Sequence, residues 1–198
     1  MVSLSSSILS RLTKLYNWCS DRITNDNVLD LIVAQPPDGN NIINYSSKIR
    51  GESKSIHSFG IQSIHSSMPL NFKENTTEAL DTLFSAVNGT LFNVMTVSSR
   101  RNVTGTAKGE LVGGNLSIIY SLLSSKYSYD FKNKILFIED LSEQYYHIDR
   151  MMHALKEAGA FNKLKGLIVG GMTDLRDTEV SFGMDAPDII LSQVSHLN

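Results

Sequence analysis

KILFIED (134–140) is an apolar strand that runs into two carboxylates, and HIDRMMHALKEAG (147–159) and LKGLIV (164–169) follow it. In the middle segment Ile148, Met151, Met152, Leu155 and Ala158 recur at the spacing of one helical face, and Gly159 is placed to end the helix. The third segment is a second short apolar strand that ends in Gly170-Gly171. Strand, helix and strand in this order make a βαβ crossover, which pairs the strands in parallel with a right-handed connection. The fold class is therefore α/β.

Working outward, a last helix is expected near Pro187, carrying Ile189, Ile190 and Val194. Upstream, GELVGGNL (109–116) is glycine-rich and leads into a helical-looking run at 116–123. It matches G-x-G-x-x-G imperfectly, follows no long strand and lacks Gly-Lys-Ser/Thr, so close backbone packing, or a ligand brushing a bare backbone, is a better account than a phosphate loop. Residues 98–108 are polar and basic, as in a solvated linker. Before them, Asn75-Thr76-Thr77-Glu78 caps a helix bearing Ala79, Leu80, Leu83, Phe84 and Val87, with Gly89 as its stop. Alternation at 59–64 and the pair Ile42-Ile43 predict short strands. A helix fits 8–18, and the apolar run at 28–34 stops at the turn-forming QPPDGNN (35–41).

Apolar residues make up 41% of the 198 and charged residues 19%, which is ordinary globular usage. Eighteen basic residues against twenty acidic give a net charge of −2, which argues against a nucleic-acid partner. The single cysteine, Cys19, excludes an internal disulfide and a multi-thiolate metal site, and reads as a buried thiol. No export signal and no membrane-length apolar run are found, so a cytoplasmic protein is expected and the Asn-x-Ser/Thr triplets are read as chance.

In parallel α/β sheets, functional residues collect beyond the carboxyl ends of the strands. Glu139 sits at such an end, with Asp140, Glu143 and Asp149 close behind. A carboxylate directly after a buried strand is held by rigid backbone and partly desolvated, which singles out Glu139 from an otherwise solvated acidic loop. The histidines are His57, His65, His147, His153 and His196, and no pair has H-E-x-x-H spacing. His65 reads as structural and His153 as solvated. Ser46 follows a short apolar strand at a sharp turn, a geometry that exposes a nucleophile.

GELVGGNLSIIYSLL, KILFIEDLSEQYYHIDRMMHALKEAG and GLIVGGMTD resemble the LD-carboxypeptidase family, the murein tetrapeptide carboxypeptidases, to which the microcin-resistance peptidases are related. The resemblance covers residues 105–180, and FGIQSIHSSMPLNF (59–72) resembles the segment after the family's nucleophile. It implies the remnant of a nucleophile-bearing α/β lobe at 1–69, a helix-containing linker at 70–108 and a C-terminal α/β lobe at 109–198. It also implies a serine hydrolase that removes a terminal D-alanine from murein tetrapeptides without a cofactor or metal. By position, Glu139 matches the glutamate that orients the catalytic histidine, and Ser46 falls where the nucleophile belongs. The turn around Ser46 departs from the family pattern: Asn44 replaces a glycine, Ser47 an aspartate and Ile49 a threonine. The family's Gly-Gly-Tyr-Gly oxyanion segment has no counterpart, residues 21–25 occupying its place, and its Gly-His motif is not found. The expectation is a truncated copy with impaired or absent turnover. The alternative is a non-catalytic remnant or muropeptide-binding module. The expected partners are a small murein peptide and, by family habit, a second copy of the chain, with no nucleic acid and no membrane.

Overall fold

The computed structural model describes residues 42–45, 62–66, 72, 75–90, 93, 94, 96 and 99–195. The expected helix at 8–18, the runs at 21–25 and 28–34, and the side chains of Cys19, Ser46, His57 and His196 lie outside the described residues. The chain divides into two compact units, Met1–Met95 and Thr96–Asn198.

In the first unit, β1 (Ile42–Tyr45) and β2 (Gln62–His65) pair in parallel, with Ile42 opposite Gln62 and Tyr45 opposite His65. β1 continues two residues beyond the expected Ile42-Ile43 because its polar end still has a partner strand to bond. α1 (Thr77–Val87) begins where the capping signal placed it. Thr76 Oγ1 accepts the Ala79 N–H at 3.2 Å, satisfying a donor that the first turn cannot. Leu80 and Leu83 form the buried stripe, and Gly89, at φ +66°, follows the Asn88 cap.

The second unit is a parallel sheet in the order β3-β4-β5, built from β3 (Glu110–Asn115), β4 (Lys134–Leu141) and β5 (Gly166–Thr173). α2 (Leu116–Leu122) connects the first pair of strands and α3 (Tyr145–Glu157) the second. Both crossovers step in the same direction along the sheet, so right-handed connections put both helices on one face. α4 (Ala186–Val194) joins them there. Leu136 and Ile138 of β4, Leu116 and Ile119 of α2, Ile148, Met152 and Leu155 of α3, and Ile189 and Ile190 of α4 are buried together. Each such side chain contributes roughly 1.5–3 kcal/mol of transfer free energy.

The expected βαβ unit is present, with three corrections. β4 does not stop before Glu139-Asp140 but runs to Leu141. β5 starts at Gly166 and passes through Gly170-Gly171 to Thr173. The glycine-rich segment, to which the sequence reading assigns no strand, forms strand β3, so the unit holds two successive crossovers. Polar or glycine residues end an isolated strand, but here each is held by ladder bonds to a neighbour. Glu110 lies opposite Lys134 and forms an ion pair with it.

α3 ends as its sequence predicts. Gly159 adopts φ +74°, its N–H donates to Lys156 O at 2.9 Å, and Ala160 N–H donates to Leu155 O at 3.0 Å. This pair of bonds is the Schellman motif, which glycine accommodates without a Cβ clash. Asp185 caps α4 by accepting the Asp188 N–H at 3.0 Å, with Pro187 in the first turn. Residues 102–109 form exposed coil. Arg101 at its start is anchored: Nε donates to Asp188 Oδ1 at 2.6 Å and Nη2 to Asp185 Oδ2 at 2.7 Å. Among the described residues no helix is long and apolar enough to cross a membrane.

Candidate active site

Strand geometry separates the two adjacent carboxylates. Successive side chains on β4 alternate faces, so Leu136, Ile138 and Asp140 face the helices while Ile135, Phe137 and Glu139 face the other side. Glu139 is half-buried and is a residue of the strand rather than of a loop after it. Its register partner on β3 is Asn115. On the β5 side, Ile138 lies opposite Val169 but Asp140 lies opposite Met172, so β5 carries one extra residue across from Glu139. That β-bulge falls at Gly170-Gly171. Bulges re-aim neighbouring side chains and are common beside functional sites.

Gly170 on β5 makes room on the Glu139 face, and the glycines of β3 allow close approach to the β4 backbone. A Cβ on Gly170 would lie 2.6 Å from Phe137 Cζ and 3.3 Å from Glu139 Cβ, so the Phe137 ring and the Glu139 stem occupy the space over that glycine. Gly113 and Gly114 have φ of +135° and +134°, and a Cβ on Gly113 would meet the Phe137 carbonyl oxygen at 1.9 Å. Close backbone packing is therefore what the glycine-rich segment encodes. Tyr129 Oη donates to the Gly113 carbonyl at 3.2 Å and tethers it further.

Asp140, on the helix side, is 2% exposed. Its Oδ1 accepts from Asn115 Nδ2 at 2.9 Å and from the Leu141 N–H at 2.9 Å, and its Oδ2 accepts from the Ser117 N–H at 3.0 Å. Burial pushes this carboxyl above the ordinary aspartate value, opposed by the three hydrogen bonds and reinforced by the charge of Glu143. Asn115 Oδ1 in turn accepts from the Ile118 N–H at 3.2 Å and from Ser117 Oγ at 2.6 Å, capping α2.

The remaining acidic residues of the cluster disperse. Glu143 Oε2 meets His147 Nδ1 at 2.7 Å across one turn, and Asp149 Oδ1 accepts from Gln193 Nε2 of α4 at 3.3 Å. The loop carrying Glu143 is pinned by Ser142 N–H to Thr173 O at 3.0 Å and Arg176 N–H to Glu143 O at 2.9 Å. His153 is exposed, as expected, and His65 is exposed at the end of β2. Among the described residues, no three His, Cys, Asp or Glu side chains are grouped to hold a metal ion. Sequence reasoning missed Asn115 and Ser117. The signal was present: Asn-Leu-Ser at a strand-to-helix junction is cap chemistry.

A half-buried carboxylate on a rigid strand can accept a hydrogen bond from an imidazole and fix its tautomer, the part that the acid plays in a serine hydrolase. Comparison with known proteins agrees with the ancestry of this segment. Residues 108–197 match the model of the LD-carboxypeptidase C-terminal domain. A Bacillus subtilis (strain 168) protein named as a probable murein peptide carboxypeptidase is 48% identical over 67 residues, which are 34% of this chain and 21% of that protein. The match thus spans about a fifth of the relative's length. Among solved structures, the muramoyltetrapeptide carboxypeptidase from Oxalobacter formigenes superimposes with a TM-score of 0.69 at 18% identity, covering 98% of this chain and 81% of that one. The microcin C7 self immunity protein MccF, in its wild-type unliganded state, gives a TM-score of 0.60 at 16% identity over 82% of this chain and 57% of that one. These two likenesses speak for the fold, and the match over residues 108–197 supports descent of the β3–α4 segment from the C-terminal domain of the LD-carboxypeptidase family.

Proposed function

We propose that this chain is a serine-type LD-carboxypeptidase polypeptide acting on murein tetrapeptides, with Ser46 as nucleophile and Glu139 as the carboxylate that orients the imidazole. The observation that supports it best is the seat of Glu139: a half-buried carboxylate on the rim of a family-type sheet, beside a bulge, with glycines on both neighbouring strands. In this reading residues 1–69 carry the nucleophile, 70–108 link, and 109–198 present the acid. The protein works in the cytoplasm, as a homodimer.

The chemistry follows from charge. The serine Oγ attacks the amide carbonyl between the L-centre and the terminal D-alanine while the imidazole takes its proton. The tetrahedral oxyanion collapses, the C–N bond breaks, and the imidazolium returns the proton to the leaving amine. Water then hydrolyses the acyl-serine by the same proton route. Glu139 accepts the N–H of the imidazole and stabilises the imidazolium. The 198 residues contain no Gly-His dipeptide, so the family histidine is not assigned to a residue here. Loss of a triad member costs on the order of 10⁴ to 10⁶ in turnover in serine proteases. The altered turn around Ser46, with Asn44, Ser47 and Ile49 in place of the family residues, makes slow release of D-alanine the expectation and favours a second reading in which the chain binds the muropeptide without cleaving it.

The test is D-alanine release from a murein tetrapeptide by the 198-residue chain and by its Ser46→Ala and Glu139→Ala variants. Slow release abolished by both changes is expected. Release that continues unaltered in either variant removes that residue from the mechanism. Calorimetric binding of the tetrapeptide with no release selects the binding module.

A further inference from the structure

We propose that Asp140 is a positioning residue, whose buried carboxylate clamps the end of β4 to the β3–α2 junction and thereby fixes how Glu139 is presented at the sheet rim. This rests on the reading of Glu139 given above. Three donors from both sides of Glu139 converge on the one carboxylate. Asn115 Nδ2 comes from its register partner, the Ser117 N–H from the first turn of α2, and the Leu141 N–H from two residues further along its own strand.

Stability alone does not ask for a carboxylate there. An apolar side chain would fill the same helix-facing position as Leu136 and Ile138, and burial disfavours the ionised form in spite of the three bonds. What a carboxylate adds is directional: two oxygens accept three N–H groups at once, which an amide cannot do without turning its own NH₂ toward a donor. A polar network of this kind specifies one arrangement of the groups it joins. The groups joined here are those that bracket Glu139.

The experiment compares the wild-type chain, Asp140→Asn, and the exchange variant Asn115→Asp/Asp140→Asn. The exchange keeps one carboxylate and one amide in the cluster. Its asparagine Oδ1 can still accept the Ser117 N–H, its Nδ2 can donate to the new aspartate, and that aspartate still caps α2. Amide hydrogen exchange by NMR is read at Ser117, Glu139 and Leu141, with the α3 amides as the measure of global folding. Asp140→Asn is expected to speed exchange at the three rim amides by about tenfold or more while α3 is unchanged, and the exchange variant to recover protection at Ser117 and Glu139. Unaltered protection at Glu139 in a folded Asp140→Asn protein overturns the proposal. If Asp140→Asn unfolds, the exchange variant decides: protected rim amides support the clamp, and a folded α3 with unprotected rim amides overturns it.

D-alanine release supplies the second readout. Where the wild type turns over, Asp140→Asn should lower kcat by about tenfold with KM within about twofold, and the exchange variant should regain part of it. An unchanged kcat overturns the positioning role. A wild type that releases no D-alanine counts against the carboxypeptidase reading, while the exchange data still decide the clamp.

Discussion

A methyl group at Gly113 would lie 1.9 Å from the Phe137 carbonyl oxygen, at a φ of +135° that side chains rarely adopt, whereas one at Gly89 would meet nothing within 4 Å. Gly113→Ala is therefore expected to cost about 3 kcal/mol or more, and Gly89→Ala about 1 kcal/mol from its φ alone, both read by urea unfolding. Similar losses at the two sites would mean that β3 does not approach β4 as described. Asp140 makes a separate prediction from its raised pKa. The folded state holds this proton more tightly than the unfolded state. The associated stability is complete below the ordinary aspartate value and is lost as pH rises through the folded value. Wild type should thus gain stability relative to Asp140→Asn as the solution is acidified from neutrality toward that ordinary value. A difference independent of pH would show that burial is not what shifts the carboxyl. At this scale the sequence pointed to Glu139 and passed over Asp140, because adjacency in sequence does not tell which of two neighbouring acids is covered.

Elements were legible wherever a local signal is complete. Thr76, Asp185 and Gly159 each do at a helix end what their residue type predicts. Replacing Thr76 by Ala should cost about 1 kcal/mol. Removing the Leu136 or Met152 side chain to Ala should cost about 2–5 kcal/mol, because both are fully buried in the cluster joining β4 to α3. Chemical denaturation measures both, and the contrast between cap and core is the informative quantity. β3 was illegible for a physical reason. Its glycines carry no side chains to form a pattern, and their conformation has meaning only against the Phe137 backbone. The ends of β4 and β5 were misplaced on the same account, since a bulge opposite Glu139 exists only once two strands are paired.

Across the molecule, electrostatics tie distant sequence together within the second unit. Hydrogen bonding to Arg101 holds the Asp188 carboxyl below its ordinary value. That contribution is present above the ordinary aspartate value and is lost as pH falls through the depressed one. Arg101→Ala should therefore lower stability near neutral pH, by a difference from wild type that shrinks as pH falls through the depressed value and as salt is added, a small effect for a largely solvated pair. The sheet face away from the helices leaves Leu111 60% and Ile168 46% exposed. Leu111→Lys and Ile168→Lys should raise the soluble concentration with little loss of stability, measured after ultracentrifugation.

By itself the sequence determined the α/β class, the β4–α3–β5 crossover, the Thr76 cap, the Gly159 stop and the family resemblance of the C-terminal segment, since these depend on periodicity and residue chemistry over short spans. Tertiary structure alone decided that the glycine segment is a strand, that the crossovers cover one face, and that Asp140 is enclosed while Glu139 stands at the rim. Alternation sends neighbouring side chains to opposite faces of a strand, but only the packed helices determine which face is dry.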